Sequence, residues 1–292
     1  MKAPPIQDRS VLITGCSSGI GRACAELLRE KGWRVFPTAR KPADLDALRA
    51  DGFDPILLDL TSSDSIRVAA QEVLKKSGGS LGALVNNAGY GMPGAIEDLS
   101  RTAMRDQFET NLFGLQELTN QFIPLFREQK FGRIVNMSSV VGRLSLPFMG
   151  IYSASKFALE ALSDALRVEL SQDRIAVCLV EPGPIATRFS VNCADQGEAK
   201  LDTGHSRFGA AYKNYFQRRR RSGQHKDRFR LPPEAVAKKV LHALESPRPK
   251  IRYPVTIPAY LGSWSARFLP ASCIDRKMVQ VVKKRFASSQ DI

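Results

Sequence analysis

Short runs of apolar and β-branched residues recur along the chain, and segments of helical periodicity lie between them. Val11–Thr14, Arg34–Pro37, Pro55–Asp59, Leu84–Asn86, Arg133–Met137 and Ile175–Val180 read as buried strands. Arg22–Lys31, Asp64–Lys76 and Thr102–Glu128 read as helices. A helix over Pro233–Glu245, with prolines suited to its first turn, leads to a seventh strand at Pro249–Tyr253. Such alternation builds a parallel sheet covered on both faces and joined by right-handed crossovers. The expectation is a doubly wound α/β fold of about seven strands with helices on both faces.

The stretch 188–231 breaks the rhythm. It is polar, rich in Gly, Arg and Asn, and lies where insertions cover the ligand crevice of an open α/β sheet. It is expected to cover a substrate, with a short helix near Phe208–Arg219. Residues 257–287 read as a C-terminal helical extension. No repeat or linker divides the chain, so one domain over residues 1–292 is expected.

The net charge of +14 is unevenly placed. Residues 1–187 hold 21 Lys/Arg and 21 Asp/Glu, whereas residues 188–292 hold 22 and 8. The densest run is Arg218 to Arg221, followed by Lys226, Arg228 and Arg230. A solvated loop is the simpler reading of that run, and an anionic partner is the other. No nucleic-acid partner is expected. Cys16, Cys24, Cys178, Cys193 and Cys273 form no CxxC pair, and His205, His225 and His242 show no ligand spacing, so neither a disulfide framework nor a metal is expected. The apolar run Val11–Ile13 is too short for a signal-peptide core. Residues 251–270, the nearest approach to a membrane span, are interrupted by Arg252, Pro254, Pro258, Arg267 and Pro270. A cytoplasmic location follows as the expectation.

Between the first strand and the first helix runs Thr14-Gly15-Cys16-Ser17-Ser18-Gly19-Ile20-Gly21. A phosphate needs a tight turn, backbone free of side chains, and a helix N-terminus whose unpaired N–H groups face the anion. Glycines also serve plain tight turns, but the position after a leading strand favours nucleotide binding.

The spacing TGxxxGxG is followed by Asn86-Asn87-Ala88-Gly89 after the fourth strand and by Pro182-Gly183 with Thr187 after the sixth. Together with Asn111, Ser139, Tyr152 and Lys156, these motifs resemble the short-chain dehydrogenase/reductase family over about residues 8–190. The resemblance implies a Rossmann-type fold and a catalytic tetrad of Asn111, Ser139, Tyr152 and Lys156. It implies a nicotinamide dinucleotide held by Gly15, Ser17, Ser18, Gly19, Ile20, Gly21, Asn87, Ala88, Gly89, Tyr152, Lys156, Pro182, Gly183, Ile185 and Thr187, with Asp59 and Leu60 meeting the adenine ring. It also implies that Lys156 holds the nicotinamide ribose hydroxyls, that Tyr152 is the acid in reduction and the base in oxidation, and that Asn111 holds a water linking Lys156 to solvent. Glu181-Pro182-Gly183-Pro184-Ile185 and Cys16-Ser17-Ser18 are similar to the branch of hydroxysteroid and retinol dehydrogenases and bacterial aldehyde reductases. That branch implies a medium or large apolar carbonyl or alcohol. A homodimer or homotetramer is expected.

The residues support the same chemistry on their own. Tyr152 and Lys156 are four apart on a helix running to about Leu170, which puts both on one face at about 100° per residue. An ammonium near a phenol is expected to lower the phenol's pKa. Ser139 can hydrogen-bond a carbonyl oxygen as charge develops on it. A hydrolase built on Ser138 or Ser139 is disfavoured, since neither sits in a GxSxG elbow and no histidine falls where a triad partner is expected.

An acid at the end of the second strand takes the ribose 2′-OH of NAD, while an arginine accommodates the 2′-phosphate of NADP. Here Ala39 stands at the acidic position and Arg40 follows, which favours NADP(H) over NAD(H), with Ser17 or Ser18 adding a hydroxyl. Met92, Pro93, Val141, Leu144, Leu146, Phe148 and Met149 are candidate pocket residues. Two rivals stay open: reduction of a 3-oxoacyl thioester, with the basic tail meeting coenzyme A or an acidic carrier protein, and a cofactor-binding sensor without turnover. Retention of Tyr152 and Lys156 argues against the sensor. In 257–286, Tyr260, Leu261, Trp264, Phe268, Leu269, Ile274, Met278 and Val282 accompany Arg267, Arg276, Lys277, Lys283, Lys284 and Arg285. Packing over the pocket or against a second subunit is preferred, and weak contact with an anionic membrane is the alternative.

Overall fold

Strand pairing follows the expected α/β pattern. The computed structural model describes residues 7–221 and 229–286; His225, Lys226, Arg228 and the side chains of Lys284 and Arg285 lie outside what is described. The strands are β1 (Ser10–Ile13), β2 (Arg34–Ala39), β3 (Ile56–Leu57), β4 (Ala83–Asn86), β5 (Gly132–Met137), β6 (Ile175–Glu181) and β7 (Arg252–Pro254). They form one sheet in the order β3-β2-β1-β4-β5-β6-β7, and every neighbouring pair is parallel. This is the Rossmann-type doubly wound arrangement, and strand order reverses between β1 and β4.

Alternating side chains send each strand's apolar residues to two cores. Val11 and Ile13 face α1 (Gly19–Glu30), α2 (Pro42–Ala50) and α9 (Glu234–Glu245), while Leu12 faces α3 (Ser63–Ser77), α5 (Gly114–Gln129) and α6 (Gly150–Glu169). Burial on both faces is why these strands read as continuous apolar runs.

Four local differences from the sequence reading have physical causes. The third strand pairs only over Ile56–Leu57, so Asp59 and Leu60 belong to the loop beyond it. The single helix expected over Thr102–Glu128 is α4 (Arg101–Phe108) and α5 joined through a π-helical turn, Glu109–Phe113. The polar stretch after β6 holds two helices, α7 (Phe189–Lys200) and α8 (Gly209–Arg221), rather than one. Only Cys193, Ala194 and Gly197 of α7 are buried, a small-residue face with little apolar signature. Its packing is close, since a Cβ on Gly197 would lie 2.5 Å from the Phe216 ring.

The fourth difference is at the C-terminus. Pro270 separates α10 (Ile257–Phe268) from α11 (Ala271–Phe286). Only Ala259 and Gly262 of α10 are buried, and a Cβ on Gly262 would meet Val140 at 2.7 Å. This helix approaches the body through its small residues, so Ile257, Tyr260, Leu261, Trp264 and Phe268 are each more than half exposed. The large apolar residues of α10 therefore do not pack over the pocket; the helix meets the cavity-lining Val140 through Gly262 instead. Val282 of α11 packs against the cluster that contains Tyr212, Tyr215 and Phe216 of α8.

The start of α5 touches the sheet's edge loop closely: a Cβ on Gly114 would stand 1.8 Å from the Leu60 carbonyl oxygen. Gly114→Ala must displace the helix or the loop. The expected cost is about 1–3 kcal/mol of unfolding free energy in urea, as for other overpacking changes. An unchanged midpoint would mean that the helix moves away from the loop freely.

Candidate active site

The reversal of strand order between β1 and β4 leaves a crevice at their carboxyl ends. There the glycine turn meets the loop after β4. The Thr14 hydroxyl accepts the N–H groups of Asn87 (2.9 Å) and Ala88 (2.8 Å), and Asn87 Nδ2 donates to the carbonyls of Thr14 (2.9 Å) and Gly15 (3.0 Å). Gly15 and Gly19 have φ of 73° and 62°, the left-handed region. A Cβ on Gly21 would lie 2.3 Å from the Gly15 carbonyl oxygen, so only glycine allows α1 to start here.

A cavity of about 600 Å³ opens against this turn. Gly15, Ser17, Ser18, Gly19, Ile20, Asn87, Ala88, Gly89, Ser139, Tyr152, Lys156, Pro182, Gly183, Ile185 and Thr187 all line it, so most residues singled out from the sequence converge on one space. Asn111, Arg40, Asp59 and Leu60 do not. Leu60 is core. Asp59 turns its carboxylate back on its own loop, accepting from Thr61 N (2.9 Å) and Thr61 Oγ1 (2.8 Å). Arg40 is exposed at the end of β2, two residues past Thr38, whose carbonyl and hydroxyl accept from the N–H groups of Cys16 (2.7 Å) and Gly15 (3.3 Å). Among the expected pocket residues, Val141, Leu146 and Met149 line the cavity. Met92 and Phe148 are packed in the core behind it, Pro93 is buried, and neither Pro93 nor Leu144 reaches the lining.

Ser139 stands two residues past β5 and caps a short 3₁₀ turn, Val140–Gly142. Its hydroxyl accepts from Val141 N (3.3 Å) and donates to the Pro182 carbonyl (3.3 Å). Lys156 Nζ donates to the Met137 carbonyl at 2.8 Å and lies 5.9 Å from the Tyr152 ring centroid. Asn111 projects from the π turn and is fully buried. Its Nδ2 donates to Tyr90 O (2.9 Å) and Ser155 Oγ (3.1 Å), and its Oδ1 accepts from Tyr90 N (3.1 Å), so it fixes the loop after Gly89.

Electrostatics here differ from the expectation. Burial pushes the Tyr152 phenol above its ordinary value, opposed by the hydrogen bond from Ser139 and by the charge of Arg219. Burial also drives the Lys156 ammonium down to about 8, opposed by the charge of Glu160. The net shift of the phenol is thus upward, because desolvation by burial decides its sign.

Several lining residues went unrecognised in the sequence. Phe189, Ser190 and Asn192 come from α7, Tyr215, Arg218 and Arg219 from α8, and Arg188 and Arg230 flank these helices. The basic run Arg218–Arg221 is helical rather than loop; Arg218 is exposed, Arg219 is half-buried, and both line the cavity. Phe148 adopts a left-handed φ of 61°, and its ring packs edge-on to Phe208 (5.0 Å) and Tyr212 (6.2 Å), tying the entry of α6 to α8.

Comparison with known proteins agrees with this geometry. A model of the short chain dehydrogenase family matches residues 9–197. An uncharacterized oxidoreductase, YbbO, of Escherichia coli strain K12 is 42% identical over 271 residues, covering 93% of this chain and 94% of that protein. An NADPH-dependent 3-dehydrocapnine reductase of Ornithobacterium rhinotracheale is 32% identical over 284 residues, covering 94% and 98%. A short chain dehydrogenase/reductase from Burkholderia phymatum, crystallised in complex with NAD, superposes with a TM-score of 0.76 at 28% identity, covering 94% and 96%. With a family model spanning more than half its length and its motifs gathered around one crevice, this chain belongs to the short-chain dehydrogenase/reductase family of oxidoreductases.

Proposed function

We propose that the chain is an NADP(H)-dependent oxidoreductase that interconverts an apolar carbonyl compound and its alcohol. The observation that carries this reading is the convergence of Ser139, Tyr152 and Lys156 on a cavity that opens against the glycine turn. The cradle fits a dinucleotide: Gly15 and Gly21 stand where any Cβ would collide with neighbouring backbone, leaving bare N–H groups at the start of α1 for the phosphates. A nicotinamide dinucleotide bound there supplies or accepts the hydride. Tyr152 gives its phenolic proton to the carbonyl oxygen as the C=O π bond is replaced by one C–H and one O–H bond, and takes that proton back in oxidation. Ser139 donates a hydrogen bond to the oxygen on which charge develops. Lys156 holds the ribose hydroxyls and, while protonated, stabilises the phenolate left on Tyr152.

Cofactor choice rests on the end of β2, because one relative is named NADPH-dependent and one similar structure holds NAD. Ala39 carries no carboxylate to repel a 2′-phosphate, and Arg40 forms no ion pair or hydrogen bond among the described residues. Its guanidinium is available to that phosphate. Val141, Leu146, Met149 and Phe189 give the cavity apolar walls suited to an apolar substrate. The described residues of the stretch 188–231, chiefly α7 and α8, would cover that substrate as part of the same domain.

A groove lined by Leu112, Phe113, Ala158 and Leu162, with Phe113, Phe157 and Leu162 exposed, supports a homodimer or homotetramer assembled through α5 and α6. Five free cysteines, four of them buried, support a reducing, cytoplasmic compartment. Among the described residues no helix is long and apolar enough to cross a membrane.

Tyr152→Phe keeps the ring and removes the acid. Its turnover is expected to fall by about 100-fold or more while dinucleotide binding persists, and near-normal turnover would remove Tyr152 from its role. Arg40→Leu is expected to weaken NADPH about tenfold, the loss of one charged contact, and leave NADH affinity unmoved. A wild-type protein that uses NADH and NADPH equally would refute the account of Arg40.

The pH profile has a definite sign. Lys156 is charged below about 8 and neutral above, whereas Tyr152 keeps its proton throughout that range. For reduction, kcat/KM is expected to fall as pH rises through about 8, and Lys156→Arg to shift the fall upward. A rate that stays flat to pH 10 would separate Lys156 from catalysis.

A further inference from the structure

We propose that the substrate carries an acidic group (carboxylate, sulfonate or phosphate) that docks on Arg219 of α8, with Arg218 beside it. The inference rests on reading this cavity as the redox site and adds the chemical class of its substrate.

Charged side chains lining the cavity are all cationic: Lys156, Arg188, Arg218, Arg219 and Arg230, with no carboxylate among the described lining residues. A concave site of one sign selects a ligand of the other. Arg188 follows Thr187, whose side chain packs against the turn so closely that a Cβ on Gly19 would lie 3.2 Å from it, and this part of the lining belongs to the dinucleotide phosphates. Arg219 lies instead beside Met149, just before α6, and Tyr215 of α8. Its Nη2 is 3.1 Å from Met149 Sδ, and its guanidinium lies 4.8 Å from the Tyr215 ring centroid. Met149 and Tyr152 share one apolar cluster, and the charge of Arg219 acts on the Tyr152 phenol.

The neighbour on the same helix makes the contrast. Arg220 forks onto Glu198 (two contacts of 2.6 Å) and Asp195 (3.0 Å) of α7, so its charge is matched. Arg218 and Arg219 form no ion pair among the described residues, and Arg219 Nε is buried without a hydrogen-bond partner. Withdrawing a guanidinium from water without a counter-charge is costly, and an anion docking there offsets that cost. Its stem is already ordered by the stack on Tyr215, so little further ordering is needed. With Val141, Leu146 and Phe189 as apolar walls, the ligand is an amphipathic keto compound or alcohol whose acidic group lies near the reacting carbon.

The test is calorimetric titration of the protein, saturated with the oxidised dinucleotide, by 4-oxodecanoate and by its methyl ester. The two ligands differ only in the charge. The acid is expected to bind about tenfold or more tightly than the ester, as for a charge-assisted contact. Arg219→Gln is expected to bring the two within about threefold by weakening the acid, and Arg219→Lys to keep part of the preference. Equal affinities in the wild type, no binding of the acid, or a preference that survives Arg219→Gln would each overturn the proposal. If Arg219→Gln instead weakens NADP⁺ and leaves the acid's preference intact, the arginine serves the cofactor and the proposal falls. Since binding is read rather than turnover, a protein that prefers the acid yet reduces no carbonyl would refute the redox reading alone.

Discussion

Thr14 holds two chain segments at the separation on which the rest of the site depends. One hydroxyl accepts two N–H groups from the loop after β4, and Asn87 returns two donors to the turn after β1. The strand order reverses between these strands, so their following loops diverge to opposite faces and leave backbone polar groups that no crossover covers. The reciprocal bonds satisfy those groups and fix the crevice. They also bring Ala88 so close to Gly15 that a Cβ there would sit 2.9 Å from its Cα. Tight backbone contact and a bare anion-facing helix start are consequences of one constraint. The glycines are required by the strands' approach as much as by a ligand.

A second constraint is the buried charge beneath the cavity. Lys156 has one described hydrogen bond, to the Met137 carbonyl, and its low pKa registers the cost of burial. Glu160, one turn along α6, opposes that cost. Glu160 is itself buried and is held by Arg252 of β7 at 2.9 Å, with Arg143 at 3.8 Å. Glu181 lies 3.4 Å from the same arginine, and burial together with Glu160 pushes its carboxyl up to about 7. The seventh strand thus extends the sheet and also delivers the cation that pairs with Glu160, the carboxylate opposing the cost of burying Lys156, and with Glu181. An edge strand of three residues is bound to the protonation state of the site.

What was legible in the sequence follows from how local each cause is. Strand runs such as Val11–Ile13 and Ile175–Val180 are apolar because both faces of the sheet are covered, a signal carried by the residues themselves. The glycine turn was legible for the same reason, since its spacing states its geometry. The π turn at Glu109–Phe113 was not, because helical periodicity on either side continues through it and only the tertiary bonds of Asn111 to Tyr90 mark its position. Helix α7 was hidden because it buries small residues, and α10 was misjudged because its large apolar residues point outward. In both, close approach of helix and body substitutes for an apolar stripe. The lowered phenol pKa also failed: spacing supplied the neighbouring charge, but burial decides the sign, and burial is tertiary.

The uneven charge of the chain can be traced to the same geometry. Residues 1–187 balance, so cations there have carboxylates at hand, as Arg22 does in Glu26 and Asp51. The excess lies beyond residue 187, where it divides by position. Arg220 and Arg252 are spent on structural carboxylates. Arg188, Arg218 and Arg219 form no ion pair among the described residues, and all three line the cavity. Their presence in the lining of this cavity raises the local positive potential there. Helices α7 and α8 therefore bring more than apolar walls to the cavity: the arginines on and beside them give its lining a positive sign, which on the proposed reading selects an acidic ligand.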